Sequence, residues 1–250
     1  MNVQPLVPLA PTAHPAGGGV GEPVGLPAGV KVRLARAARA ALEPVAALLV
    51  RIGVRADHLS VLGLVLSLGA ALAFFEGWFR WASGIAALAG LCDLLDGQLA
   101  RRAGRTSRFG AFLDSTLDRL SEGLMLAGLA GFYISGLVEL VLDPTLLEAQ
   151  LARGLEPRTW AAVALTAVVA LVGSFVVSYT RARAEGLGLE CRVGWFERPE
   201  RLALLIVAGL FGVGPVMPAA LMLFVILSFA TAAQRVAHVW KHTRAAGRDS

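Results

Sequence analysis

The chain has 250 residues, of which 56% are hydrophobic and only 16% charged, against about 25% charged in a typical soluble domain. That composition excludes an ordinary soluble enzyme and makes this a membrane protein. The net charge of +5 does not point to nucleic acid, because the cations are not interleaved with stacking aromatics on a polar surface; anionic head groups and phosphate substrates are the better partners.

Residues 1–29, rich in Pro, Gly and Ala without a basic start or an uninterrupted apolar core, read as a disordered tail rather than a signal peptide. Residues 30–51 follow as a helix in which Lys31, Arg33, Arg36 and Arg39 alternate with alanines and leucines. This pattern predicts an amphipathic helix lying at the membrane interface. A polar turn, Arg51 to His58, leads into an apolar run from Leu59 to Phe75, closed by Glu76. Seventeen residues at about 1.5 Å each span roughly 26 Å, short but adequate for a crossing. A second run starts near Phe79 and carries its helical pattern past Leu91 through Asp93, Asp96 and Ala100 into a basic turn with Arg101, Arg102, Arg105 and Arg108. The third runs from Phe109 to Tyr133, with Asp114 and Asp118 in its first turns.

Residues 135–158 read as a loop with a short surface helix. Trp160 to Tyr179 is a fourth span, delivering Arg181 and Arg183. After a polar stretch ending in Glu197-Arg198-Pro199-Glu200-Arg201, the runs Leu202 to Phe211 and Val216 to Ala233 make a fifth and a sixth span. The spans thus lie within residues 52–242, and residues 243–250 form a basic tail. Lys and Arg concentrate on one side of these crossings: Arg51 and Arg55, the arginines from 101 to 108 and from 181 to 201, then Arg235, Lys241, Arg244 and Arg248. Only Arg80, Arg153 and Arg158 fall on the other. The asymmetry predicts six crossings with both termini and the acidic residues at the cytoplasmic face. Of the two cysteines, Cys92 lies in an apolar run and Cys191 in a polar loop, and neither suggests a disulfide or zinc.

The acids define the chemistry. Asp93 and Asp96 are i and i+3, Asp114 and Asp118 i and i+4, so each pair projects from one helical face, and all four converge if the two helices pack side by side. Unpaired carboxylates in such a setting cost about 3 kcal/mol each even on a lenient scale, and a divalent cation taking oxygen ligands offsets that cost. Asp118 is placed to ligate a second ion or to act as a base. Gly97 and Ala100 leave room beside the cluster, Arg101 offers a planar fork for phosphate, and Gly110 permits close approach of helix or ligand. An intramembrane Asp also serves as a helix–helix hydrogen bond, and small residues as packing contacts. A cation or proton carrier is a separate reading of the same acids, though the chain shows no inverted repeat and its acids cluster at one face.

The pattern D-x2-D-G-x2-A-R-x8-G-x3-D-x3-D, present from Asp93 to Asp118, resembles the signature of the CDP-alcohol phosphatidyltransferases. The resemblance implies an all-α integral membrane protein of six transmembrane helices preceded by a juxtamembrane amphipathic helix, usually a homodimer. It implies that Asp93, Asp96 and Asp114 hold Mg²⁺ or Mn²⁺, that Asp118 completes the second metal site and is the general base, and that Gly97, Ala100, Arg101, Ser107 and Gly110 line the cytidine diphosphate pocket. Asp57 and Ser60 resemble a P-x-x-T turn that also touches the nucleotide, although Ala56 is near where the proline is missing. The implied reaction moves the phosphatidyl group of CDP-diacylglycerol, entering from the membrane, to the hydroxyl of a small alcohol, releasing CMP. The basic segment around Ser178–Glu185 and Glu197–Arg201 resembles that of the bacterial phosphatidylinositol phosphate synthases, implying an acceptor phosphate held by Arg181 and Arg201 with Arg198 beside them. Inositol 1-phosphate is the first expectation and glycerol 3-phosphate the second. The same arginines also fit plain positive-inside anchoring.

Overall fold

A computed structural model describes residues 28–102, 107–152 and 156–246. The expected tail at 1–27, Arg105, Arg153 and the end of the basic tail from 247 lie outside the described residues. Among those described, all regular structure is helical: α1 Ala28–Arg51, α2 Ala56–Phe75, α3 Phe79–Arg102, α4 Arg108–Leu142, α5 Pro144–Ala152, α6 Pro157–Gly186, α7 Arg198–Leu210 and α8 Val216–Ala246. Four of these, α2, α4, α6 and α8, are long and apolar enough to cross a membrane. The molecule is built inside-out for that solvent. Leu62, Val65, Leu68 and Leu72 of α2 and Leu165, Val168 and Val172 of α6 are exposed, as lipid permits and water would not.

Small residues let the helices approach. Ser67, Ala70, Ala71 and Ala73 of α2 are buried, and α2 is the axis against which both α3 and α4 pack. At the α2/α4 crossing, a Cβ on Gly128 would overlap the Ala71 carbonyl, so only glycine allows the two backbones to meet there. α4 in turn packs on α6, α6 on α8, and α7 against α3 and α8. The main core joins Phe74, Phe79, Leu126, Leu129, Leu205, Met217, Leu221 and Phe224. A second cluster seats Ala46 of α1 on Leu59, Leu95 and Leu99.

The helices outrun their apolar runs. α4 continues nine residues past Tyr133, α6 reaches Gly186, and α8 ends at Ala246 instead of Ala233, because hydropathy marks only the lipid-facing part of a helix while backbone hydrogen bonding carries on through polar residues. Within the predicted loop over 135–158, residues up to 142 are the end of α4, 144–152 are α5 and 157–158 already belong to α6. At the junction Asp143 Oδ1 accepts from the Thr145 hydroxyl (2.7 Å) and amide (2.9 Å), and these donors, with the Leu146 amide, hold its carboxyl below the usual range.

The segment between α6 and α7 is fixed by α8. Arg235, 3% exposed, donates to the carbonyls of Val193 (2.9 Å) and Val177 (2.6 Å), and Thr231 Oγ1 accepts from the Phe196 amide at 3.2 Å. Gly194 lies here at φ +134°, in the left-handed region. α7 starts with a capping box: Glu197 accepts from the N3 backbone while Glu200 accepts from the Glu197 amide. This cap aims the first turn of α7 at the acidic residues of α3 and α4.

Candidate active site

The acids meet, but not by the expected packing. α3 and α4 both pack on α2 and hardly touch each other, so their acidic ends flank a cleft. Asp93, Asp114 and Asp118 each bring a carboxylate oxygen within 4.8 Å of the other two. Asp96 lines the same cleft but stands apart from that trio, accepting from Ser60 Oγ of α2 at 2.7 Å. The cleft, about 260 Å³ counting the open solvent at its edge, is lined by Ser60, Gly63 and Ser67 of α2, by Asp114, Leu117 and Asp118 of α4 and by Arg198 of α7.

Arg198 is the principal cation of the cluster. Its Nη1 donates to Asp93 Oδ2 at 2.5 Å and lies 2.8 Å from Asp118 Oδ1. One guanidinium nitrogen therefore bridges α3 and α4 from the first turn of α7. One turn on, at i+3, Arg201 makes a second and quite different pair. It is 2% exposed, its Nε and Nη2 donate to Glu122 Oε1 and Oε2 at 2.6 and 2.8 Å, and its Nη1 reaches the Phe196 carbonyl at 3.4 Å. Glu122 Oε2 also accepts from Ser174 Oγ of α6 at 2.8 Å. Arg201, expected among the acceptor-phosphate ligands, thus spends its fork on a carboxylate inside the bundle. The sequence reading passed over Glu122, although it continues the i, i+4 series Asp114, Asp118, Glu122 down one face of α4.

The other expected residues, Ser60 apart, are not among those that line the cleft. Arg101 folds its guanidinium over Gly97, where a Cβ would lie 3.3 Å from Nη1. Ser107 is the N-cap of α4, its Oγ accepting from the Gly110 amide at 2.9 Å. These two therefore have a structural duty at the entrance of α4. Ala100 is half-buried. Asp57 is exposed and pairs with Arg55 at 3.3 Å, so of the predicted turn only Ser60 touches the acidic residues. Arg181 pairs with Glu185 at 2.9 Å and lies 3.8 Å from Glu197.

All-oxygen donors from three carboxylates suit a hard divalent cation of the Mg²⁺ or Mn²⁺ type, and the half-open cleft leaves ligand positions for substrate. The sequence model that matches residues 54–240 is that of the CDP-alcohol phosphatidyltransferases: the chain belongs to this family of membrane transferases. Among curated relatives, it is 37% identical over 209 residues to the phosphatidylinositol phosphate synthase of Streptomyces avermitilis, covering 79% of this chain and 77% of that one. It is 34% identical over 197 residues to the archaetidylinositol phosphate synthase of Methanothermobacter thermautotrophicus, covering 78% and 87%. The phosphatidylinositol phosphate synthase of Mycobacterium tuberculosis, solved with CDP-DAG bound, superposes with a TM-score of 0.63 at 32% identity, covering 79% of this chain and 92% of that one. Its complex with manganese and citrate gives 0.63 at 31% identity, covering 79% and 88%.

Proposed function

We propose that this protein transfers the phosphatidyl group of CDP-diacylglycerol to inositol 1-phosphate, releasing CMP. The observation that carries the reading is the trio Asp93, Asp114 and Asp118 under the bridging Arg198, in a chain whose relatives are named for inositol phosphate lipids. Asp93, Asp114 and Asp118, with Asp96 beside them on Ser60, would hold Mg²⁺ or Mn²⁺, and the ion would supply charge neutralisation at the pyrophosphate and polarisation of the phosphorus under attack. Asp118 takes the proton from the acceptor hydroxyl as its oxygen bonds to the lipid-side phosphorus, and the bond from that phosphorus to the CMP oxygen breaks, so CMP leaves with the electron pair. Gly97, Ala100 and Arg101 of α3, Ser107 and Gly110 at the start of α4, and Asp57 and Ser60 of α2 border the nucleotide. Arg181 and Arg198 face the acceptor phosphate, and Arg201 acts beneath them by fixing the start of α7.

In this reading α2, α3, α4, α6, α7 and α8 of residues 52–242 make six crossings and α1 lies in the interface. Both termini and the cleft face the cytoplasm at the cell membrane, and the molecule works as a homodimer. α3 and α7 count as crossings because each packs against an apolar span, α3 on α2 and α7 on α8, and against each other.

Purified protein supplied with CDP-diacylglycerol, Mg²⁺ and a panel of acceptors should release CMP fastest with inositol 1-phosphate. Equal turnover with free inositol, serine or no acceptor would reject a phosphorylated acceptor, and preference for glycerol 3-phosphate would reassign it. Ion flux without CMP release would favour the carrier.

A further inference from the structure

Arg198 and a divalent metal have an interest in the same atoms. The guanidinium already holds Asp93 Oδ2 at 2.5 Å and Asp118 Oδ1 at 2.8 Å, and these residues supply two of the three carboxylates able to close on an ion. A small hard cation requires its oxygens at about 2.0–2.1 Å in near-octahedral array. An arginine nitrogen lodged between two of those carboxylates leaves little space for that array, and its positive charge opposes a second cation a few ångströms away. Arg198 is also kept in place from behind: Pro199 and the Glu197–Glu200 capping box start α7, and Arg201 clamps the next turn onto Glu122. Its side chain is 23% exposed, so unlike Arg201 it has somewhere to go.

We propose that Arg198 is an exchangeable, tethered counter-cation that shares Asp93 and Asp118 with the divalent metal and so sets the metal concentration at which the site loads. This deepens the functional reading above and rests on it. The tether makes the exchange intramolecular: the guanidinium withdraws from the carboxylates as the ion enters and returns when it leaves.

The test is a titration of the purified, detergent-solubilised protein with Mn²⁺, following free Mn²⁺ by electron paramagnetic resonance, with no CDP-lipid and no turnover. Asp118→Asn should weaken binding at least about tenfold, which identifies the cluster as the place titrated; binding unchanged in this variant overturns the inference and the metal site of the functional reading together. Arg198→Ala should bind Mn²⁺ at least about fivefold more tightly than the native chain, within the range of couplings between sites. Arg198→Lys keeps the charge but presents a single ammonium that cannot span both carboxylates in the same way, and should tighten binding by an intermediate factor. Weaker or unchanged binding in Arg198→Ala overturns the proposal. So does tightening in Arg198→Ala with Arg198→Lys equal to native, which would mean a distant field rather than shared oxygens. Failure of the acceptor assignment, seen as CMP release with another alcohol, leaves these titrations untouched.

Discussion

Two arginines three residues apart on α7 make opposite kinds of ion pair. Arg198 sits at the mouth of the cleft, 23% exposed, bridging carboxylates that have other chemistry available to them. Arg201 is sealed in the bundle at 2% exposure, with both oxygens of Glu122 in its fork and Ser174 completing the acceptor's valence. Charge and residue type are the same; solvent access and the number of hydrogen bonds satisfied differ. A half-open pair is exchangeable because water, metal or substrate can replace either partner at small cost, whereas a sealed pair is permanent because an uncompensated buried charge costs several kcal/mol. In the proposed reading the fold uses one arginine for chemistry and its neighbour for position.

That contrast can be broken from either end. The largest effect belongs to the open side: Asp118→Asn should lower the rate of CMP release about 10²- to 10⁴-fold, the usual worth of a positioned base, with a melting temperature close to native. On the sealed side, Arg201→Ala should cost about 3–5 kcal/mol of stability by leaving Glu122 buried and bare, measured by denaturant titration in micelles. The double replacement Glu122→Leu, Arg201→Met should regain most of it, since apolar groups of similar volume substitute well for a buried pair. A single variant as stable as native would show that the pair is not sealed. Arg181→Ala should raise the KM for the phosphorylated acceptor about tenfold, as for the loss of one hydrogen bond to a charged group, while leaving the KM for CDP-diacylglycerol unchanged; equal changes in both would place Arg181 outside the acceptor site.

The smallest effect lies at a carboxylate with no ion-pair role. Asp143 is held below its usual range by the Thr145 and Leu146 donors, so its contribution is present above the unfolded value near 4 and disappears as pH falls through the lower folded value. Asp143→Asn should flatten the acid limb of a melting curve taken from pH 5 to pH 2, without changing activity at neutral pH.

Much of this was legible in the chain, for physical reasons. Four aspartates among apolar runs are an anomaly that needs a cation wherever they fold, so Asp93, Asp114 and Asp118 could be grouped before their helices were known to share α2 as a common support. Asp96 was grouped with them on the same argument, and the structure sets it apart from the trio on Ser60, a short polar side chain with no charge to announce the pairing. The start of every span was visible in the hydropathy, but not the ends of α4, α6 and α8, where hydrogen bonding outlasts the apolar pattern. Arg201 was read as an acceptor-phosphate ligand or a membrane anchor because a cation beside a membrane end fits both; its pairing with Glu122, 79 residues away in sequence, is a third role that the chain does not announce.

That separation has a consequence for how the protein is made. Glu122 is the fifteenth residue of α4, roughly 21 Å along the helix axis, and is 3% exposed in the finished bundle. During synthesis α4 emerges long before α7, so this carboxylate enters the bilayer with no cation to meet it until Arg201 follows. The nascent chain thus carries an acid whose folded partner is supplied only by a later segment, α7. A chain stopped short of α7 would keep Glu122 without its guanidinium, a defect that membrane quality control can recognise.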